Sequence, residues 1–410
     1  MKSWNWRRVA VGAIALTLLV FLVVIPITGP IIEFAFADGS EQAVEEMPAA
    51  AKVMLRIVKA CVALWFFVLG ANVGSFLNVV AYRVPRGESV VFRRSHCPKC
   101  QTKIKGRDNI PILGWLLLDG RCRTCKTNIS CRYPVVELVT AAIFLLLYFV
   151  ELISGGANIP LRRPNSYHGV VWIILYTKWD LVSLYLFHCF TISTLMAWSL
   201  IDIDRQKLPW RAIVVASILF AVPLLSPDVL LVPWLRETNP GPGPPNWLLA
   251  MEISFAGGLS GAMLGVVAAQ AFRCRKSQGG DTESLTKTFS APVGHITVAG
   301  MVVGMSVGWQ ATLGVWLMAL AIRPVSAAVA RSLSFREAPM TAILLVAYLV
   351  HLISWRWLTV SWWPSYSTSL IAWVCIGTGF TALWLVNRSL PIIPSAAESY
   401  IATNADSSGL

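Results

Sequence analysis

Long apolar runs, repeated along most of the chain, constrain this sequence more than any other feature. A helix needs about 20 mostly apolar residues to cross a bilayer. Candidate spans run from Val9 to Ile27, Val53 to Tyr82, Val135 to Ile153, Leu181 to Ile201, Ala212 to Trp234 and Trp247 to Phe272. The Gly-rich stretch from Ile296 to Ala330 has room for two short spans that turn near Gly308-Trp309. Two more follow at Met340 to Ile353 and Leu370 to Val386. Of the 410 residues, 56% are hydrophobic and only 13% charged. A water-soluble core of this size cannot hide that much apolar surface. The expectation is an all-α polytopic membrane protein of about ten spans. A soluble enzyme, a disordered scaffold and a disulfide-rich secreted domain are excluded.

The net charge of +13 is set by residues lying between the spans. Basic loops mark the cytoplasmic side of a membrane protein, so nucleic acid is not an expected partner. The start is basic (Lys2, Arg7, Arg8) and the loop after the first span is acidic (Glu33, Asp38, Glu41, Glu45, Glu46). The first run is read as an uncleaved anchor, because it is long and distant from the faint Ala35-Phe36-Ala37 cleavage pattern. The loop from Arg83 to Arg132 is Lys/Arg-rich and is placed inside. Inside too are the segments carrying Arg205, Lys207 and Arg211, then Arg273, Arg275, Lys276 and Lys287, then Arg331 and Arg336, and finally Arg388. The Pro-rich stretch Thr238 to Pro245 is read as an external turn, and the tail after Pro394 as disordered.

The first internal loop contains Cys97-Pro98-Lys99-Cys100 and Cys122-Arg123-Thr124-Cys125. Two CxxC knuckles at this separation point to a tetrathiolate zinc site made by Cys97, Cys100, Cys122 and Cys125. Four thiolates leave no open coordination position, so the expected role is structural. Binding would supply folding energy that so short a loop lacks. A disulfide or redox reading conflicts with a cytoplasmic position. Cys131 stands outside the pattern, and Cys61, Cys189, Cys274 and Cys375 lie in or beside spans as inert thiols.

The fourth span ends in Ser199-Leu200-Ile201-Asp202-Ile203-Asp204-Arg205-Gln206-Lys207-Leu208-Pro209. A carboxylate at the end of an apolar helix is a candidate functional group. Two acids with split pKa values divide the work of aspartic proteolysis. The alternative is that Asp202 and Asp204 mark the water boundary and pair with Arg205 or Lys207.

Several segments resemble the type IV prepilin peptidases. These are Gly74-Ser75-Phe76-Leu77-Asn78-Val79-Val80, Tyr82-Arg83-Val84-Pro85, the paired-CxxC loop, Asn109-Ile110-Pro111-Ile112 with Gly114-Trp115, and Arg132-Tyr133-Pro134 with Glu137. The resemblance runs from about Leu64 to Ala330 and is most specific between Gly74 and Glu137. It implies an inner-membrane aspartic endopeptidase that removes the leaders of pilin-like precursors at the cytoplasmic face. It also implies possible N-methylation of the new N-terminus with S-adenosylmethionine. Asp202, followed by Leu208-Pro209, matches the family's first catalytic Asp, and Asp204 a less central second acid.

The chain departs from that pattern twice. Trp210 follows Leu208-Pro209 where the family has Asp or Asn. In Pro292-Val293-Gly294-His295-Ile296-Thr297-Val298, running on to Gly308-Trp309-Gln310, His295 stands where the second catalytic Asp belongs. The nearby Gly280-Asp281 sits in a polar loop, which leaves Asp281 as a weak substitute.

The resulting division is an N-terminal anchor and acidic loop (1–52), a prepilin-peptidase N-terminal domain (53–152) with a zinc-ribbon-like loop (83–133), a peptidase-like core (153–330), and extra spans with a tail (331–410). Two readings remain: an endopeptidase with an altered site, and an inactive pseudo-peptidase that binds or assembles pilin-like proteins. A transporter is disfavoured by the absence of a midplane charge constellation or inverted repeat. Expected partners are pilin-like precursors and the lipid bilayer. Arg93, Arg94 and Lys103 suit a basic leader poorly and suit anionic headgroups better.

Overall fold

The structure is a computed structural model. It describes residues 49–91, 95–160, 169–175, 177–210, 213–214, 246–271, 282–333, 337–359, 363–364 and 368–390. The expected span at Val9 to Ile27, the tail after Pro394, Cys274 and Asp281 lie outside the described residues, as does nearly all of Ala212 to Trp234. Among the described residues the secondary structure is helical, without strands. Seven helices there are long and apolar enough to cross a bilayer. The chain is a multi-pass membrane protein with an all-α fold. Its residues form two compact units, divided between Cys189 and Phe190.

The first unit is built on α1 (Ala49–Arg83) and α3 (Arg132–Leu147), the latter continuing into a π turn at Tyr148–Ile153. No proline interrupts α1, and it gives way at Pro85, whose missing N–H cannot extend it. Gly70 and Gly74 let α1 lie directly on α3. A Cβ on Gly74 would stand 2.8 Å from the Glu137 Cα, and one on Gly70 2.8 Å from the Ala141 Cα. Such close approach is how apolar helices associate where no hydrophobic drive exists. One turn on, Asn78 donates to the carbonyls of Gly74 and Tyr133, each at 3.3 Å, and ties the two helices at their loop end. The connecting loop holds the short helix α2 (Leu113–Leu117). Two short helical elements complete the unit: α4 (Val170–Leu175) and the first part of α5 (Trp179–Ile203).

The second unit contains the end of α5, then α6 (Asn246–Ala271), α7 (Thr282–Ser332), α8 (Met340–Thr359) and α9 (Leu370–Ser389). Helices α6 and α7 run antiparallel in close backbone contact. A Cβ on Gly261 would collide with the Gly300 carbonyl oxygen, and one on Gly257 with that of Gly304. Helix α7 is broken at Gly308, where φ is 80° and ψ is 167°. That region is essentially glycine-only. The turn expected near Gly308-Trp309 thus falls on a backbone break that divides α7 into two helices.

Candidate metal cluster and candidate active site

In the first unit, the two CxxC knuckles have the same local fold, offset by 25 residues. Cys97 N–H bonds the Thr102 carbonyl at 3.0 Å, and Gln101 N–H the Cys97 carbonyl at 2.9 Å. The counterparts are Cys122 to Thr127 at 2.8 Å and Lys126 to Cys122 at 3.0 Å. Each knuckle closes on a left-handed residue, Gln101 (φ 56°) or Lys126 (φ 57°). Each is flanked by one isolated antiparallel bridge, His96 with Lys103 and Arg121 with Asn128. The ribbon-like character of the loop is thus confined to two bridges.

The four sulfurs of Cys97, Cys100, Cys122 and Cys125 lie within 4.8 Å of one another. Cys97 and Cys125 are 3.8 Å apart, and Cys100 and Cys122 3.9 Å. Sulfurs about 2.3 Å from a tetrahedral centre stand about 3.8 Å apart. The cluster could therefore hold one tetrahedral metal ion. Hydrogen bonds from the Thr102 hydroxyl and backbone N–H lower the Cys100 thiol to about 6, which favours the ligating thiolate. Cys131 is a free thiol outside the cluster. Arg123, inside the second knuckle, grips Asp108 with two hydrogen bonds of 2.7 and 2.6 Å. Trp115 donates to the Ile129 carbonyl at 3.0 Å and packs over Gly120. These contacts brace the loop, and sequence reasoning singled out neither Asp108 nor Arg123.

Glu137, on α3, accepts the Ile112 N–H at 2.6 Å and a hydrogen bond from the Ser75 side chain. Ile112 is a β-branched residue at φ 63°. Such backbone is costly unless its surroundings fix it. The Glu137 carboxylate supplies that fixing bond. The matched motif residues Ser75, Ile112 and Glu137 thus converge on one point.

In the second unit, α5 ends at Ile203 in a Schellman turn. Arg205 N–H bonds the Asp202 carbonyl at 3.0 Å, and Gln206 N–H the Ile201 carbonyl at 3.1 Å. Arg205 takes the left-handed position (φ 52°) that glycine usually occupies. The turn leaves Asp202 facing its own unit, with its side chain 16% exposed, while Asp204 is exposed. His295 on α7 brings Nδ1 to 3.3 Å from Asp202 Oδ1. The Thr341 hydroxyl, in the first turn of α8, donates to Oδ2 at 2.9 Å. The Leu208 N–H donates to His295 Nε2 at 2.9 Å. A backbone N–H can only donate, so Nε2 is the lone-pair nitrogen and the ring's proton sits on Nδ1, facing Asp202. The chain of bonds runs from Leu208 through His295 to Asp202, with Thr341 closing it. Asp204 lies outside this network, and Asp281 outside the described residues. Thr341 was missed by sequence reasoning, because a lone threonine in an apolar helix carries no signal. The arrangement presents a carboxylate able to take a proton beside an N–H able to stabilise an oxyanion.

Comparison with known proteins matches residues 68–150 to the bacterial peptidase A24 N-terminal domain. The chain is 39% identical over 158 residues to a "type 4 prepilin-like proteins leader peptide-processing enzyme" of Escherichia coli O78:H11, covering 34% of this chain and 48% of that protein. It is 54% identical over 82 residues to a prepilin leader peptidase/N-methyltransferase of Myxococcus xanthus, covering 20% and 24%. With the Klebsiella pneumoniae protein of the same name it shares 47% over 88 residues, covering 20% and 39%. The chain thus spans less than half the length of each of these relatives. No solved structure matches. Residues 68–150, with their cysteine knuckles and the Ser75–Glu137 contact, are similar to the N-terminal domain of the type IV prepilin peptidases.

Proposed function

We propose that the chain removes the leader peptides of type IV pilin-like precursors at the cytoplasmic face of the inner membrane. Asp202 acts as the base and His295 as the electrophile that replaces a second Asp. The observation that carries this reading is the Leu208 N–H on His295 Nε2, which fixes the imidazole proton on the nitrogen facing Asp202. In a two-carboxylate site the protonated partner polarises the scissile carbonyl. A neutral imidazole N–H can do the same, as in other enzymes that polarise a carbonyl with histidine.

Asp202 takes one proton from water, whose oxygen attacks the carbonyl carbon. The His295 Nδ1–H stabilises the oxygen as it becomes negative. Asp202 then returns its proton to the departing amine as the C–N bond breaks. Thr341 holds the other carboxylate oxygen and so sets the orientation of Asp202. The sulfur spacing supports a structural zinc ion on Cys97, Cys100, Cys122 and Cys125. The N-methyltransferase names of the relatives support methylation of the new N-terminus with S-adenosylmethionine. Asp204 and Asp281 are given no catalytic role. The positive-inside pattern of the sequence supports the cytoplasmic placement.

A second reading, a non-cleaving protein that binds or assembles pilin-like helices, is favoured by one feature. Every polar atom of the Asp202–His295 pair already has a protein partner. A cleavage assay on a purified pilin-like precursor separates the two. The enzyme reading expects cleavage by the wild type and none by Asp202→Ala. A silent wild type that gains activity on His295→Asp establishes the second reading.

A further inference from the structure

In the second unit, the end of α9 and the segment leading into α8 meet at a buried cation. Arg323, on the second helix of α7, is 7% exposed, and Asn387, in the last turn of α9, is 1% exposed. Arg323 Nη1 donates to the Asn387 carbonyl and to its side-chain Oδ1, each at 3.2 Å. Arg323 Nη2 stands 3.8 Å from Glu337 Oε2. The Asn387 amide nitrogen donates in turn to the Leu320 carbonyl of α7 at 2.9 Å and to the Leu383 carbonyl of α9 at 2.8 Å. A buried guanidinium is costly unless it is paired and hydrogen-bonded. Arg323 meets both needs with groups from outside its own helix. One is a carbonyl at the C-terminus of α9, the end of a helix that favours a cation. The other is a carboxylate just ahead of α8.

Glu337 depends on that contact. Its other oxygen, Oε1, is buried and has no hydrogen-bond partner among the described residues. Thr341 follows four positions later, after Ala338-Pro339-Met340. Pro339 fixes its own φ, and its carbonyl accepts the Ala342 and Ile343 N–H at 3.0 and 3.2 Å, which starts α8. The path from Arg323 to Thr341 is therefore short and stiff: an ion pair, a proline and one helical turn. Thr341 holds Asp202 Oδ2 at 2.9 Å, while Oδ1 faces His295. A shift of this first turn withdraws the Thr341 hydroxyl and lets the Asp202 carboxylate rotate away from His295.

We propose that Arg323, tied to Asn387 and Glu337, is a positioning residue for the Asp202 site, fixing the first turn of α8 so that Thr341 holds the carboxylate against His295. The inference deepens the peptidase reading and rests on it for its chemistry. It also gives the two spans beyond the peptidase-like core a part in the site. Helix α8 supplies Thr341, and the end of α9 supplies the anchor for Arg323. Arg323, Asn387 and Glu337 act only through Thr341. A misplacement of about 1 Å arising away from the chemistry can cost about 100-fold in rate.

Double-variant cycles on the full chain, purified in mixed micelles, test the inference. Glu337→Gln removes the charge that faces Arg323 and keeps the shape, and Asn387→Ala removes the side-chain acceptor on α9. Each is combined with Thr341→Val. The unfolding equilibrium is the first readout, because it needs no substrate. If Glu337 acts through the Thr341–Asp202 bond, that bond is already weakened in Glu337→Gln. Thr341→Val should then raise the unfolding constant at least threefold less in Glu337→Gln than in the wild type. Equal effects in the two backgrounds, as a tie that only adds stability would give, overturn the inference. Leader cleavage is the second readout. Glu337→Gln and Asn387→Ala should each lower kcat at least tenfold with KM within twofold, and neither should lower it further in Thr341→Val protein. Unchanged kcat in both variants, or losses that multiply with that of Thr341→Val, also overturn it. Should Asn387→Ala not fold, Glu337→Gln decides alone. A wild type that cleaves nothing yet shows the stability coupling counts against the peptidase reading alone. An active wild type without coupling counts against this inference alone.

Discussion

Replacing Asp202 by Asn and by Ala separates its role in the fold from its role in chemistry. The introduced Asn carbonyl can still accept the His295 Nδ1–H, and its amide can donate to Thr341, whose hydroxyl both donates and accepts. Both contacts then persist, with the Thr341 hydroxyl turned to accept, and charge assistance is lost. Hydrogen bonds to charged groups contribute about 1.5–3 kcal/mol against about 1 kcal/mol for neutral ones. Asp202→Asn therefore costs about 1–2 kcal/mol. Asp202→Ala leaves two groups unmet: the Thr341 hydroxyl, on a residue 1% exposed, and the Nδ1–H of His295, on a residue 6% exposed. Each unsatisfied buried donor costs about 1–3 kcal/mol, so the Asp202→Ala protein should be less stable than the Asp202→Asn protein by about 1–4 kcal/mol. Equilibrium unfolding in mixed micelles, followed by tryptophan fluorescence, measures the difference. Both variants should be inactive on a pilin-like precursor. Equal stability of the two would refute the hydrogen-bond chain, and cleavage by folded Asp202→Asn protein would refute the base assignment.

Purified protein should carry one zinc per chain by elemental analysis, and Cys97→Ser or a strong chelator should abolish it and expose the loop to protease. Gly304→Val places a branched side chain against the Gly257 carbonyl and should cost about 2 kcal/mol or more, read as a lowered unfolding temperature.

The apolar runs made the helical membrane fold legible, because backbone hydrogen bonding in lipid admits little else. They also placed the ends of α3, α5, α8 and α9 within a few residues, the largest discrepancy being six residues at the end of α8. The cysteine cluster was legible for a related reason. The CxxC spacing is short-range geometry, and the knuckle turns that close it are local backbone bonds. Asp202 was visible as an acid at the end of an apolar helix, and Gly308 as a break in a glycine-rich run.

The remaining features depend on residues far apart in the chain. Thr341 meets Asp202 across 139 positions, and His295 across 93. Nothing local marks Thr341, and nothing local tells which imidazole nitrogen carries the proton; the Leu208 N–H decides that. The Ser75–Glu137 contact is likewise a product of packing, since Gly70 and Gly74 must first bring α1 onto α3. Sequence alone determined the apolar helices among the described residues, the four-cysteine cluster and the acid at the helix end, because hydropathy and motif spacing act over one or two turns. Tertiary structure alone decided which groups share a hydrogen bond, because that depends on how separate helices approach one another.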